Sequence, residues 1–181
     1  MEKGTPSVRI PREQKDWEHA EPAVRVWVDY AQRKFGAEFR HHECELHLDE
    51  LVATQSEIEL VKYRLVREEG FRADEPIMVY RGRLGTSFIV DGHTRARVKW
   101  DLGERTVTAI VLSATNVELD AEFARIADAV GGGKTMHIRD VPIADRIGEG
   151  SEAWEKRRAE LRRDWKLGAA YKLSASKQGQ Q

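Results

Sequence analysis

The chain has 181 residues, a formal net charge of −1 at pH 7, 40% hydrophobic residues and five tryptophans. Such a chain can bury an ordinary core, and its balanced charge argues against a protein that coats nucleic acid by bulk electrostatics. Its single cysteine excludes an internal disulfide, and without a signal peptide or a long apolar run we expect a cytoplasmic protein that does not enter membranes.

The first 48 residues are predicted to form an arm, a helix and a strand. Residues 1–15 carry two prolines and many charges without periodicity, which is typical of a flexible arm. From Pro22 to Gly36, apolar residues recur at helical spacing, so this helix packs against a sheet or forms a dimer contact. Residues 39–48 alternate as a strand whose histidines and cysteine lack the spacing of a zinc site, and we predict no metal centre there.

The next helix is predicted from a capping box. Ser56 and Glu59 have the spacing at which each side chain can cap the backbone N–H of the other. Val61 and Leu65 lie on the apolar stripe of this helix, and Gly70 is its expected C-terminal cap.

A hairpin follows this helix. Residues 76–80 and 87–90 are short apolar runs separated by a turn with two glycines, and they should pair antiparallel. The second run stops at Gly92, where another helix is predicted to begin. That helix ends at Gly103, and residues 106–112 alternate as a further strand.

The turn at Gly92 is the strongest indication of a binding site. Glycine lets the backbone enter a helix closely, and the first N–H groups of that helix, reinforced by its dipole, form an anion site without any side chain. His93 and Thr94 can add donors, and Arg95 can add a bidentate guanidinium. Phosphate is the predicted ligand.

The string DGHTR, Asp91 to Arg95, resembles the phosphate-binding motif of the ParB/sulfiredoxin superfamily in its residues and in the elements around it. The resemblance covers residues 46–113. ParB partition proteins hold CTP with a GxxR motif, which Gly92 and Arg95 match. Sulfiredoxins carry their reactive cysteine where this chain has His93, so their activity is disfavoured. ADP-dependent free serine kinases carry Asp-Gly-His-His-Arg, which differs from this chain only at Thr94.

The resemblance to the kinase branch implies a nucleotide, ADP or ATP, together with Mg²⁺ and a small-molecule acceptor, while the partition branch implies CTP. In the kinase branch Gly92, His93, Thr94 and Arg95 would hold the phosphates. Asp91 would position Mg²⁺ or the acceptor hydroxyl, because phosphoryl transfer depends mainly on alignment and charge neutralisation.

The kinase branch also has an acidic base in the loop before the helix at 56–69. An ungapped alignment places Gln55 at that position, and glutamine cannot act as a base. Glu57 could substitute if the backbone turns, or it could merely favour the helix N-terminus. Thr54 and Gln55 could still face a ligand from this loop.

The residues after 113 lie outside the resemblance. A helix predicted at 119–130 stops at three glycines, and the string GGGKT at 131–135 resembles part of a Walker A loop. Because a helix rather than a strand precedes it, we expect a helix-ending turn, from which Lys134 could contact an anion in the neighbouring site. Residues 138–147 are interrupted by a proline and form an edge strand or a loop.

A last helix is predicted from Ser151 to about residue 166. Its basic side chains, next to Trp154 and Trp165, could contact nucleic acid. A charged amphipathic helix that packs through its tryptophans explains the same residues and is the favoured interpretation.

Together these elements predict an α+β fold, with a small mixed sheet of ParB/sulfiredoxin type, flanking helices, and extra N- and C-terminal helices. The predicted units are an arm at 1–15, a helix and strand extension at 16–45, a nucleotide-binding core at 46–113, a helical extension at 114–170 and a disordered tail at 171–181. The resemblance favours a nucleotide-dependent small-molecule phosphotransferase similar to the free serine kinases. The alternatives are a ParB-like nucleotide-dependent DNA-binding or nuclease-type protein and a ligand-binding module without catalysis.

Overall fold

Residues 22–164 are described by the computed structural model, and they form an α+β fold. The helices are α1 (Pro22–Phe35), α2 (Leu60–Glu69), α3 (His93–Asp101), α4 (Val117–Val130) and α5 (152–164). The strands are β1 (Arg40–His47), β2 (Leu51–Val52), β3 (Ile58–Glu59), β4 (Ile77–Arg81), β5 (Ser87–Asp91), β6 (Thr106–Ser113) and β7 (Ile143–Ala144). The predicted arm at 1–15 and tail at 171–181 lie outside the described residues.

Five strands form one mixed sheet in the order β1-β6-β4-β5-β2. The pairs β1–β6 and β4–β5 are antiparallel, whereas β4–β6 and β2–β5 are parallel. The predicted hairpin is confirmed, since β4 and β5 pair with Val79 opposite Ile89. Strands β3 and β7 form a separate two-stranded parallel sheet.

Helices cover both faces of the five-stranded sheet. Successive side chains of each strand point to opposite faces, so one strand contributes to the core on either side. Ile77 and Val79 of β4 face the larger core, which contains residues of α2 and α3. Tyr80 of the same strand faces the opposite side, where it stacks on Phe123 of α4 with ring centroids 4.6 Å apart. The small mixed sheet with flanking helices is therefore confirmed.

The predicted capping box is wrong. Helix α2 begins at Leu60, its N-cap is Glu59, and no side chain caps its backbone. The reason is tertiary: Ile58 and Glu59 pair with β7 as a short strand, and the Glu59 carboxylate accepts two hydrogen bonds from Arg157. The predicted C-terminal cap is confirmed, because Gly70 adopts the left-handed conformation with φ 67°.

Two predictions for the C-terminal half are confirmed, the end of one helix and the start of the next. Helix α4 ends at the three glycines, and the backbone N–H of Trp154 donates to the Ser151 hydroxyl at 3.2 Å, as expected of an N-terminal cap. The segment at 138–147 contains a 3-10 turn, Ile138–Asp140, and then the two-residue strand β7. Trp154 and Leu161 of α5 are buried against Val61 and Leu65 of α2. Within residues 22–164, none of the helices has the length and apolar character needed to cross a bilayer.

Candidate functional site

The turn before α3 needs glycine for two independent reasons. Gly92 is the N-cap of α3 and has φ 103°, a conformation that L side chains rarely adopt. A Cβ at this position would also stand 2.6 Å from Cγ2 of Ile77. Since the N-cap has no side chain, the first N–H groups of α3 have no cap of the usual kind. Anions bind at helix N-termini of this kind in other proteins.

The Arg95 side chain is buried against the protein side of this turn and is not directed outward into solvent. It is 6% exposed, and Nη1 donates to the backbone oxygens of Glu75 and Pro76, each at 3.0 Å. Nη2 donates to Oδ2 of Asp91 at 3.1 Å. These three hydrogen bonds direct the guanidinium at groups of the protein. The predicted phosphate contact of Arg95 therefore stays a prediction, and the observed role of the side chain is to brace the turn.

His93 connects the turn to the loop after β2. The side chain is buried, and its Nε2 accepts a hydrogen bond from the backbone N–H of Thr54 at 3.0 Å. The Thr54 hydroxyl donates to the backbone oxygen of Ile89 at 2.5 Å. Burial lowers the pKa of His93 to about 4, although the Asp91 carboxylate opposes this shift. His93 is therefore neutral at pH 7. The polar groups of His93 and Thr54, which were predicted to face a ligand, make hydrogen bonds within the fold.

The loop at 53–58 is held at both ends by the C-terminal part of the chain. The N–H of Ala53 donates to the oxygen of Met136 at 2.8 Å, and the N–H of Ile58 donates to the oxygen of Pro142, also at 2.8 Å. These bonds fix the loop beside the N-terminus of α3, to which Thr54 links it. The structure thus brings Thr54 next to His93, whereas Gln55 and Glu57 make their hydrogen bonds within the loop and to Arg146.

Glu57, the possible substitute for a base at Gln55, does not have the geometry of one. The Gln55 amide donates to the backbone oxygen of Glu57 at 2.5 Å. The Glu57 carboxylate binds Nη2 and Nε of Arg146 at 2.7 and 3.1 Å, and this hydrogen-bonded ion pair lowers the pKa of Glu57. A carboxylate stabilised in its charged form is a poor proton acceptor at neutral pH. Asp91, whose side chain is 48% exposed beside the turn, is the remaining predicted catalytic residue with an accessible carboxylate.

Lys134 lies three residues before His137, which forms an isolated antiparallel bridge with Val52 at the start of the 53–58 loop. Lys134 is exposed. Its predicted role as an anion contact from the C-terminal half is compatible with this placement and stays a prediction.

The glycines before Lys134 do not form a phosphate-binding loop. The N–H of Gly131 donates to Ala127, that of Gly133 to Asp128, and that of Lys134 to Gly131. Because these N–H groups are directed at backbone oxygens of α4 and its turn, they do not converge on an anion as those of a Walker A loop do. A helix-ending turn, as expected, is what the structure contains.

Three arginines of α5 pair with acidic residues of the β3–α2 segment. Arg157 binds the carboxylate of Glu59, while Arg158 and Arg162 both bind that of Glu69. The hydrogen bond from Arg162, followed by that from Arg158, lowers the pKa of Glu69. These arginines contribute to packing of α5 on α2, as the favoured interpretation of the basic helix expects. Contact with nucleic acid stays a prediction, with Lys156 and Arg163 as exposed basic side chains of the same helix.

Sequence reasoning did not find the residues that hold the loop. Met136, Pro142 and Arg146 contact the 53–58 loop from more than 80 positions along the chain, and Arg146 itself is 89 positions from Glu57. Two of the three contacts use backbone oxygens, which every residue has, so no local pattern could have indicated them.

No family model and no curated protein match this sequence. Among solved structures, the crystal structure of protein Atu1540 from Agrobacterium tumefaciens is similar, with 16% sequence identity and a TM-score of 0.46 over 69% of this chain and 90% of that chain. A likeness this distant carries no argument about the site or its chemistry.

Proposed function

We propose that this protein binds a nucleotide through its phosphates at the N-terminus of α3. The observation that carries the proposal is the backbone at Gly92, which has φ 103° and starts a nine-residue helix without a side-chain cap. Such a terminus offers N–H donors and a positive dipole end to an anion. The resemblance of Asp91 to Arg95 to the ParB/sulfiredoxin motif names phosphate as that anion.

Three further features support a phosphate here. Thr94 is partly exposed at the second position of α3 and can donate its hydroxyl. The Arg95 guanidinium lies directly behind the turn, since its Nη2 is 3.0 Å from the place where a Gly92 Cβ would stand. Its positive charge, although paired with the Asp91 carboxylate, offsets the negative charge of that carboxylate beside the turn. Lys134 would add a second positive charge from the side of the 53–58 loop.

The kind of nucleotide follows from the branch of the resemblance. ADP or ATP is expected if the kinase branch is the relevant one, and CTP if the partition branch is. Mg²⁺ would fit as a companion of the phosphates: Asp91 offers one accessible carboxylate, and Mg²⁺ in nucleotide sites commonly uses one or two carboxylates together with phosphate oxygens and water. Within residues 22–164 no cluster of three acidic, histidine or cysteine side chains suggests a separate metal site.

Phosphoryl transfer to a small molecule is a second proposal, and the accessible Asp91 carboxylate favours it. The acceptor hydroxyl oxygen would form a bond to the terminal phosphorus while the bond from that phosphorus to the bridging oxygen breaks. The hydroxyl proton would pass to Oδ1 of Asp91, because Oδ2 already accepts a hydrogen bond from Arg95. Glu57 has no part in this scheme because Arg146 holds its carboxylate. If Asp91 serves only to brace Arg95, the protein is a nucleotide-binding module without catalysis.

A thermal-shift screen with ADP, ATP, CTP and AMP, each with and without Mg²⁺, tests the binding proposal. A ligand at 100 times its Kd stabilises a protein by about 2.7 kcal/mol, which gives a readily measured increase in Tm. We expect a shift with at least one di- or triphosphate and a smaller one with AMP. Equal Tm values under all these conditions would overturn the proposal.

A matched pair of variants locates the site. Thr94→Glu puts a negative charge at the start of α3, where it favours the helix but repels a phosphate. Thr86→Glu makes the same change just before β5, at the end of that strand opposite Gly92, roughly 17 Å away. We expect the nucleotide shift to be lost in the first variant and kept in the second. Equal shifts in both would place the nucleotide elsewhere.

A further inference from the structure

Two arginines outside the predicted core bind carboxylates at the C-terminal end of the 53–58 loop and just after it. Arg146 binds the carboxylate of Glu57 through Nη2 and Nε, at 2.7 and 3.1 Å. Arg157 binds the carboxylate of Glu59 through Nε and Nη2, also at 2.7 and 3.1 Å. Both pairs are bidentate, a geometry that fixes orientation as well as distance.

The two pairs act at the same end of the loop. Glu57 is the last residue before β3. Glu59 ends β3 and occupies the N-cap position of α2. The Gln55 amide donates to the backbone oxygen of Glu57, and this hydrogen bond links the middle of the loop to Glu57. Thr54, at the other end, contacts His93 at the start of α3. The loop thus connects the C-terminal segment to the turn at Gly92.

We propose that Arg146 and Arg157 are positioning residues, which hold the 53–58 loop in the conformation that faces a phosphate ligand. They act through Glu57 and Glu59 and do not touch the ligand themselves. The C-terminal extension is then a part of the binding site. The effect on ligand affinity rests on the proposed function, whereas the effect on the loop does not.

The exposure of the first pair argues for positioning rather than for global stability. The side chains of Arg146 and Glu57 are 75% and 36% exposed, and ion pairs this exposed contribute little to the stability of a fold. The Glu57 carboxylate is nevertheless held by Arg146 directly before β3, a strand of only two residues. Loss of the pair should therefore loosen the loop between Ala53 and Ile58, whose backbone hydrogen bonds to Met136 and Pro142 remain, without unfolding the chain.

The structure provides a control on the same helix. Arg162 of α5 binds the carboxylate of Glu69, which ends α2 about 15 Å from the loop along the helix axis. Arg162→Gln removes an ion pair of α5 with the far end of α2, where Arg158 still binds Glu69, whereas Arg157→Gln removes one with Glu59 at the end of β3. A merely structural role of α5 would make these two variants alike.

The experiment compares Arg146→Gln, Arg157→Gln and Arg162→Gln in the full chain. Without any ligand, amide hydrogen exchange in peptides that cover 53–58 should be several-fold faster in the first two variants and unchanged in the third. With ADP and Mg²⁺ as the probe, the Kd should increase by up to about fivefold in the first two variants alone. The double variant Glu57→Arg with Arg146→Glu should restore slow exchange, because it re-forms the pair with reversed charges.

The outcomes separate this proposal from the proposed function. If the wild-type protein binds none of ADP, ATP and CTP, the proposed function is at fault, and hydrogen exchange still decides whether the arginines hold the loop. If exchange at 53–58 is the same in Arg146→Gln, Arg157→Gln and wild type, the positioning proposal is overturned. It is also overturned if Arg162→Gln accelerates exchange there as much as Arg157→Gln does.

Discussion

His93 should make the protein less stable as the pH falls below 6.5, and this can be measured. Its pKa is about 4 in the folded chain, because burial disfavours the imidazolium. In an unfolded chain the pKa of histidine is about 6.5. Between these two values the unfolded state binds a proton that the folded state does not, so the free energy of unfolding decreases as the pH decreases.

The size of this effect follows from the two pKa values. Between pH 7 and pH 5 the loss attributable to His93 is roughly 2 kcal/mol, and it approaches about 3 kcal/mol at pH 4 and below. At 5% exposure the imidazole is shielded from solvent, and its Nε2 already accepts from Thr54. Protonation of Nε2 would place two donors face to face and break the link between the loop and α3.

Urea unfolding of wild type and His93→Gln at pH 7 and pH 5 tests this reasoning. The glutamine amide can still accept from Thr54 but does not titrate. We expect wild type to lose roughly 2 kcal/mol more than the variant between the two pH values. His42, whose pKa burial also lowers, is present in both proteins and cancels in the comparison. Equal losses would show that His93 titrates normally and would refute the contact with Thr54.

Three substitutions test the packing around the site by urea unfolding. Gly92→Ala should cost about 2 kcal/mol, because its backbone has φ 103° and the new Cβ would meet Ile77; a cost below about 0.5 kcal/mol would show that the turn relaxes freely. Arg95→Gln should cost about 2 kcal/mol, since two backbone oxygens lose their donor, and an unchanged midpoint would mean that water replaces the guanidinium. Trp154→Ala should cost about 3 kcal/mol through the cavity it leaves against α2; a neutral result would contradict the docking of α5.

The strand, turn and helix around Gly92 could be predicted because their signals are local. The alternation of β6, the apolar run of β5 and the glycine between β5 and α3 each act within a few residues. Helix α1 was equally clear, since Pro22 starts it and Gly36, with φ 64°, follows its end. Patterns of this kind depend on backbone preferences that tertiary contacts rarely override.

The details of the site depend on distant contacts and could not be predicted in the same way. Ser56 and Glu59 had the spacing of a capping box, yet pairing with β7 converted the second residue into the end of a strand. Arg95 was expected to face the ligand, but its partners include backbone oxygens 19 and 20 positions away. Glu57 was a possible base by its position, but Arg146, which binds its carboxylate, lies 89 positions away. In each case the residue type was informative, and its partner came from elsewhere in the chain.

An amide NMR titration with ADP and Mg²⁺ tests the central claim most directly. If the N-terminus of α3 holds the phosphates, the largest shifts in the ¹H–¹⁵N spectrum should occur at the N–H groups of His93 and Thr94, with smaller ones in the 53–58 loop. The account would be contradicted if a saturating nucleotide left these signals unmoved, or if the largest changes lay in β1 or α5.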